Sequence, residues 1–177
     1  YWYPDENFNE LHLEDPFINK IGEDFVVGGV EVQRPVEGNI RYRTVFYRGK
    51  DIHNLRKFTN GPWGMKDLKL VELPDGRIGV FTRPQGRKGG RGRIGFTIIS
   101  FLHELKPRVL TKAPLIKGQF TKGEWGGVND AMILNNGKIG ALGHIARKSK
   151  DGKLLFYYPF VFCFDPDTRK RSSLRII

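Results

Sequence analysis

Asp67-Leu-Lys-Leu-Val-Glu-Leu-Pro-Asp-Gly-Arg-Ile-Gly-Val80 reads as one unit: an acid, a short apolar strand, a tight turn and a second apolar strand. Asp-Gly between two apolar runs is a strong hairpin signal, because a tight reversal needs residues that tolerate positive φ. The same unit is legible at Asp15-Pro-Phe-Ile-Asn-Lys-Ile-Gly-Glu-Asp-Phe-Val-Val27 and at Asp130-Ala-Met-Ile-Leu-Asn-Asn-Gly-Lys-Ile-Gly-Ala-Leu142. A recurrence of about 50 to 60 residues built on strand-turn-strand units predicts an all-β chain of propeller blades. Equivalent positions of successive blades converge on an axis, so the repeated aspartates are expected to gather at one end of a channel. Clustered carboxylates there suit acid/base chemistry on a sugar.

Working outward, the chain divides into three sets of about four strands. The first runs Phe17–Ile21, Phe25–Gln33, Arg41–Tyr47 and Ile52–Phe58. The second holds Leu68–Leu73, Arg77–Arg83 and Ile94–Phe101, with the glycine-rich Gly86–Gly92 between the last two. The third holds Ala131–Leu134, Lys138–Ala146, Leu154–Phe164 and Arg171–Ile177. The expected blades are residues 15–60, 61–113 and 114–177, with 1–14 an entering segment or the tail of an earlier blade. Three blades do not close a ring, which normally takes about 4 to 8. The expectation is therefore part of a longer propeller, and the rival fold is a two-sheet β-sandwich.

With 30 basic and 19 acidic residues the chain carries a net charge of +11, which favours anionic partners. The charge is mostly spread, as on a solvated face, and only Arg83–Arg93 and Arg169–Arg175 are concentrated. The lone Cys163 excludes an internal disulfide, and its Val-Phe-Cys-Phe setting predicts a buried, inert thiol. No apolar run approaches the roughly 20 residues of a membrane span, and no signal peptide is visible. A cytoplasmic location and no membrane partner are the resulting expectations, although the sequence starts at Tyr1 without Met. Metal-ligand spacing is absent, so no cofactor or metal is expected. Gly90-Arg-Gly-Arg-Ile-Gly95 matches a dinucleotide fingerprint literally but precedes a strand and lacks a βαβ unit, which rejects that reading.

The candidate site residues follow from position. Asp15, Asp67 and Asp130 are the candidate catalytic carboxylates. Each has a plainer reading, as an Asx-type turn, a solvated ion pair or a loop cap. Trp63 and Trp125 are candidate stacking platforms for a sugar ring, with Lys66 and Glu124 beside them. Glu124 and Asp130 are not separable as the more important acid. Arg34, Arg83 and His144 fall at matching strand ends and are candidate substrate or anion holders. Inversion with a water nucleophile needs two carboxylates roughly 6.5 to 9.5 Å apart.

The ordered set Glu14-Asp15-Pro16, Lys66-Asp67 and Arg83-Pro84 resembles glycoside hydrolase family 130, the mannoside phosphorylases and related mannosidases. Glu14–Phe17, Met65–Leu68, Thr82–Gly86 and Leu142–Ile145 are more similar still to an uncharacterised propeller family, domain of unknown function 1861. The resemblance implies a five-bladed propeller with a central carbohydrate cleft, of which this chain holds about three blades. It also implies that Asp67 is the proton donor and Arg83 part of the sugar or phosphate site. Phe17 stands where the family 130 pattern has Arg, and Thr82 where it has His. The implied function is a glycoside-processing enzyme, an inverting glycosidase or a phosphorylase, with carbohydrate and inorganic phosphate as partners. The alternatives are a non-catalytic carbohydrate-binding propeller and, less favoured, a basic nucleic-acid-binding module, whose affinity would fall steeply with salt.

Overall fold

The computed structural model describes residues 11–177, so most of the expected entering segment lies outside the described residues. Three antiparallel sheets follow one another along the chain, and within each the strands are neighbours in sequence order. The first contains β1 (Glu14–Ile21), β2 (Asp24–Gln33), β3 (Arg41–Gly49) and β4 (Arg56–Asn60). The second contains β5 (Lys69–Glu72), β6 (Ile78–Thr82) and β7 (Gly95–Ile99). The third contains β8 (Glu124–Ile133), β9 (Ile139–Lys148), β10 (Leu155–Phe164) and β11 (Arg175–Ile176).

The turns explain the repeated unit. After β5, Leu73 N–H donates to Arg77 O at 2.7 Å, and Gly76 takes φ 81°. After β8, Leu134 N–H donates to Lys138 O at 2.8 Å, and Gly137 takes φ 76°. The two reversals are the same object, closed at the one position where only glycine is free of a Cβ penalty.

Both faces of the second sheet are covered. Leu70, Ile78 and Val80 face a core shared with Val26 and Phe46 of the first sheet. Val71 and Phe81 face a core shared with Val128, Ile139 and Phe160 of the third. Double burial is why β6 reads as an unbroken apolar run rather than an alternation. Phe81, Phe96 and Phe164 meet with ring centres 4.6 to 5.8 Å apart at the middle of the second core. Each fully buried Phe contributes on the order of 1.5–3 kcal/mol of transfer free energy.

The first strands of the three sheets lie side by side: β1 packs on β5, and β5 on β8. This brings the starts of the repeated units together, which is what positions the site.

Three expectations are corrected. The second set has three strands: beyond β7 the chain forms a 3₁₀ turn (Leu102–Glu104) and a short helix (Pro107–Lys112), whose Leu102 and Leu110 complete the first core. The third sheet's first strand begins at Glu124, because Gly126 and Gly127 let the backbone approach its neighbours where side chains would collide. Cys163 is exposed, since Phe160, Phe162 and Phe164 claim the inward face of β10 and strand parity turns Cys163 outward. Among the described residues no helix is long and apolar enough to cross a membrane.

Candidate active site

Asp67 lies two residues before the start of β5 and Arg83 immediately follows β6. The hairpin between them returns the chain so that the two side chains meet. Arg83 Nη1 donates to Asp67 Oδ2 at 2.7 Å, and Arg83 Nε donates to Gly126 O at 3.0 Å. Both residues are buried, at 8% exposure for Asp67 and 4% for Arg83. A charge withdrawn this far from water persists only when it is paired and hydrogen-bonded.

Glycines from two directions make room for the pair. A Cβ on Gly127 would stand 2.8 Å from Asp67 Oδ2 and 2.9 Å from Arg83 Cδ. A Cβ on Gly92 would stand 2.5 Å from Arg83 Nε. Gly126 N–H in turn donates to Gly92 O at 3.1 Å, which ties the two glycine segments together around the guanidinium. Gly92 is the middle glycine of the literal dinucleotide match, and its work is to admit Arg83.

A second ion pair adjoins the first. Lys66 Nζ lies 3.3 Å from Asp15 Oδ2, joining the first and second sheets. Asp15 and Asp67 both occupy the left-handed region, at φ 48° and φ 56°. Asp15 does so directly before Pro16, where backbone freedom is already reduced. Each such residue costs on the order of 1–3 kcal/mol and persists because its surroundings over-determine it. The Asp15 carboxylate meets Lys66, and the Asp67 carboxylate meets Arg83 beside Gly127 of β8.

His144 on β9 is half-buried, and its Nδ1 lies 2.8 Å from Asn129 Oδ1, the residue bulged out of register beside Asp130. Burial pushes the His144 pKa below its usual 6.5. The Asp67 and Asp15 charges pull it back up, and Arg83 and Lys66 push it further down. Asp130 accepts a hydrogen bond from Ala131 N–H at 2.8 Å. Lys69, two residues beyond Asp67, is only 7% exposed. Burial pushes its pKa below the lysine range, opposed by Asp67, Asp130 and Asp15. Its Nζ sits 4.0 Å from the centre of the Phe17 ring. Phe17 thus stands where the family 130 pattern has Arg, and a cation reaches that spot from the neighbouring strand instead.

The remaining expected residues are placed otherwise. Trp63 is 38% exposed, with the guanidinium carbons of Arg41 and Arg43 each 4.3 Å from its ring centre. Trp125 is 5% exposed and covered by Arg91 at 3.9 Å. Glu124 accepts from Thr121 N–H at 2.8 Å, closing its own turn. Arg34 pairs with Glu14 at 3.3 Å on the surface. Ion pairs thus join Lys66 to Asp15 and Arg83 to Asp67, and the charges of all four act on His144, whereas Trp63, Trp125, Glu124 and Arg34 have local partners. Lys69, Asn129 and the glycines at 92, 126 and 127 are site residues that sequence reasoning passed over. A lysine between Leu68 and Leu70 in an apolar strand was the signal available for the first. Among the described residues no group of three or more His, Cys, Asp or Glu side chains is disposed to hold a metal ion.

Comparison with solved structures shows what the chain is similar to. A mannose phosphorylase from Leishmania mexicana, MPT-4, solved with a phosphate ion, superposes with a TM-score of 0.83 at 37% identity, over 93% of this chain and 52% of that one. MPT-1, a GDP-Man-dependent mannosyltransferase from the same organism, superposes with a TM-score of 0.83 at 35% identity, over 97% of this chain and 54% of that one. A β-1,2-mannobiose phosphorylase from Listeria innocua shares the fold alone, with a TM-score of 0.59 at 16% identity, over 96% of this chain and 46% of that one. The chain spans about half the length of these solved relatives. No curated protein sequence matches it. The all-β fold is that of the glycosidase-type propellers. The family described as "Protein of unknown function (DUF1861)" matches residues 1–177, the whole chain, and the chain belongs to it.

Proposed function

We propose that the protein is a glycoside-processing enzyme acting on mannosides by inversion, and that this chain supplies three of its five propeller blades. The observation that carries the reading is the buried Asp67–Arg83 pair beside the Lys66–Asp15 pair, with both aspartates held in the left-handed region where two sheets meet. Asp15 and Asp67 are two of three left-handed non-glycine residues among those described, and such residues cluster at functional sites. The 37% and 35% identical relatives, named for mannose phosphorolysis and for mannosyl transfer from GDP-Man, support the substrate class.

In this reading Asp67 takes up a proton from solvent on Oδ1 while Oδ2 keeps its hydrogen bond from Arg83, and passes that proton to the departing glycosidic oxygen, directly or through a substrate hydroxyl. Its Oδ2 is engaged by Arg83, so Oδ1 is the oxygen that meets the substrate. Asp15 or Asp130 orients the sugar or the attacking group on the other side. Phosphate as that group requires cations and hydrogen-bond donors, and Lys66, the free edge of Arg83 and the imidazole N–H of His144 are the anion holders at hand, with Arg34 a further candidate.

The test is incubation of the full-length protein with a panel of β-mannosides and other glycosides, with and without phosphate. Sugar phosphate formed only when phosphate is present establishes phosphorolysis, and free sugar without phosphate establishes hydrolysis. Loss of either in Asp67→Asn, with the fold intact, ties the activity to this site. Saturable sugar binding without turnover of any substrate refutes the enzymatic reading in favour of a binding propeller.

A further inference from the structure

The concentrated charge at Arg169–Arg175 has no part in the site above. Part of it lines a cavity of about 700 Å³ between the outer strands of the second and third sheets. One wall is Phe96 of β7 with the segment 114–117, and the other is Phe164 of β10 with the segment 168–171. Both walls belong to sheets described in this chain. Lys117, Arg169, Lys170 and Arg171 line the cavity, and no acidic residue does. Sheet order sets it apart from Asp67, since β6 separates β7 from β5 and β9 separates β10 from β8.

The turn after β10 sorts its charges by side. Asp167 turns to Arg77 at 3.6 Å and Asp165 to Lys138 at 4.0 Å, and all four line a different cavity. The cations of the same turn face the other way, and no carboxylate among the described residues pairs with them. Backbone carbonyls hold them instead. Arg171 Nε donates to Lys117 O at 3.3 Å, Nη1 to Ser172 O at 2.6 Å and Nη2 to Gly118 O. Arg169 Nη1 donates to Phe96 O at 3.4 Å. Carbonyls fix a guanidinium in place without cancelling its charge, and each guanidinium keeps further N–H donors for a ligand.

Arg169 also stands where glycine is free of cost. In the hairpins whose closing acceptors are Arg77 O and Lys138 O, the residue before the acceptor is Gly76 or Gly137, each at positive φ. Asp165 N–H donates to Lys170 O at 2.9 Å, and the residue before that acceptor is Arg169, at φ 56°. It is the third left-handed non-glycine residue among those described, beside Asp15 and Asp67. Arginine there carries a backbone penalty that glycine avoids, and such residues cluster at functional sites.

We propose that this cavity binds a ligand with two or more linked phosphate groups, as an anion site separate from the Asp67–Arg83 site. Planar guanidinium forks match phosphate oxygens. One phosphate group brings at most about two negative charges against the four cations, so a di- or triphosphate is the better match. A recess of this size between two sheets suits a small molecule rather than a nucleic-acid strand. Pro114 and Leu115 offer an apolar flank on which a nucleoside would rest.

The experiment is titration calorimetry of the full-length protein in EDTA at about 150 mM salt, where exposed charges more than about 8 Å apart are largely screened. The probes are inorganic tripolyphosphate, a nucleoside triphosphate and a short single-stranded oligonucleotide. Saturable one-to-one binding of tripolyphosphate is expected. Arg169→Gly weakens it by about tenfold or more, the value of one charge-assisted contact. That substitution relieves the backbone, so an unlowered Tm shows that the loss is not unfolding. Lys66→Gln, at the other anion site, leaves the binding unchanged. Tighter binding of the nucleoside triphosphate than of tripolyphosphate identifies a nucleotide, and equal affinity identifies the oligophosphate itself. No saturable binding of either overturns the proposal. Binding abolished by Lys66→Gln and kept in Arg169→Gly overturns it too, as does an oligonucleotide bound more tightly than both. None of these outcomes depends on whether a mannoside is turned over.

Discussion

Removing one member of the Asp67–Arg83 pair is the sharpest perturbation the structure offers. The two side chains are 6% and 5% exposed and 2.7 Å apart, so neither charge can be rescued by water. Breaking a buried pair from one side costs about 3–5 kcal/mol, because the surviving charge keeps its desolvation penalty and loses its partner. For a chain of this size each kcal/mol lowers Tm by about 2–4 °C, so Arg83→Met is expected to lose about 6 to 20 °C. Asp67→Asn is milder, because an amide oxygen still accepts from Nη1. Asp67→Leu combined with Arg83→Met removes both charges while roughly preserving volume, and recovers most of the loss. Urea and thermal unfolding of Asp67→Leu, Arg83→Met and the double variant beside the parent form a double-mutant cycle. The expected coupling exceeds about 2 kcal/mol. Single variants that each cost under about 1 kcal/mol and add independently would refute the claim that the pair is buried and mutually dependent. The cycle also sets the control for activity, since loss of turnover in Asp67→Asn means lost chemistry only at temperatures where that variant remains folded.

Three further outcomes are expected. Gly127→Ala pushes a methyl against Asp67 Oδ2 and Arg83 Cδ and costs about 1–3 kcal/mol by overpacking, with a larger loss of substrate turnover than Tm alone explains. Asp15→Gly removes a left-handed non-glycine residue along with a partly exposed ion pair of small worth, so chemical denaturation shows a gain of about 1 kcal/mol while mannoside turnover falls. His144 has a folded pKa below its unfolded value of 6.5, so its contribution is complete above that pH and is lost as pH falls through the depressed folded value. Tm measured between pH 7.5 and 5 therefore declines more steeply in the parent protein than in His144→Gln, and equal slopes would contradict the burial of the imidazole.

The strands and reversals were legible because their signals are local. Asp75-Gly76 and Asn136-Gly137 each carry a turn in two residues, and the apolar runs beside them set the strands. The repeat led to the expectation that Asp15, Asp67 and Asp130 converge and that Arg34, Arg83 and His144 share one rim; Arg83 does meet Asp67, whereas Arg34 pairs with Glu14 on the surface. What escaped depends on partners distant along the chain. Trp63 and Trp125 were read from residue type as open platforms, but Arg41, Arg43 and Arg91 lie on them. Gly126 and Gly127 looked like loop because glycine signals irregularity, whereas here it signals close approach to a side chain more than forty residues earlier. Strand parity in Phe160–Phe164 did contain the exposure of Cys163; the apolar letters around it obscured that signal.

The hold of the third sheet on Arg83 bears on how this architecture can be cut and rearranged. Repeated sheets suggest interchangeable parts, but the second one is incomplete without its successor: its guanidinium is seated by the Gly126 carbonyl and by the space above Gly127. A chain divided between β7 and β8 would leave Arg83 Nε without its Gly126 acceptor on one piece and an empty notch on the other. Insertions at the Asp75-Gly76 or Asn136-Gly137 reversals leave that junction whole. Swapping the third unit for a homologous one, by contrast, transplants the second unit's chemistry only if the donor also carries glycine at those two positions.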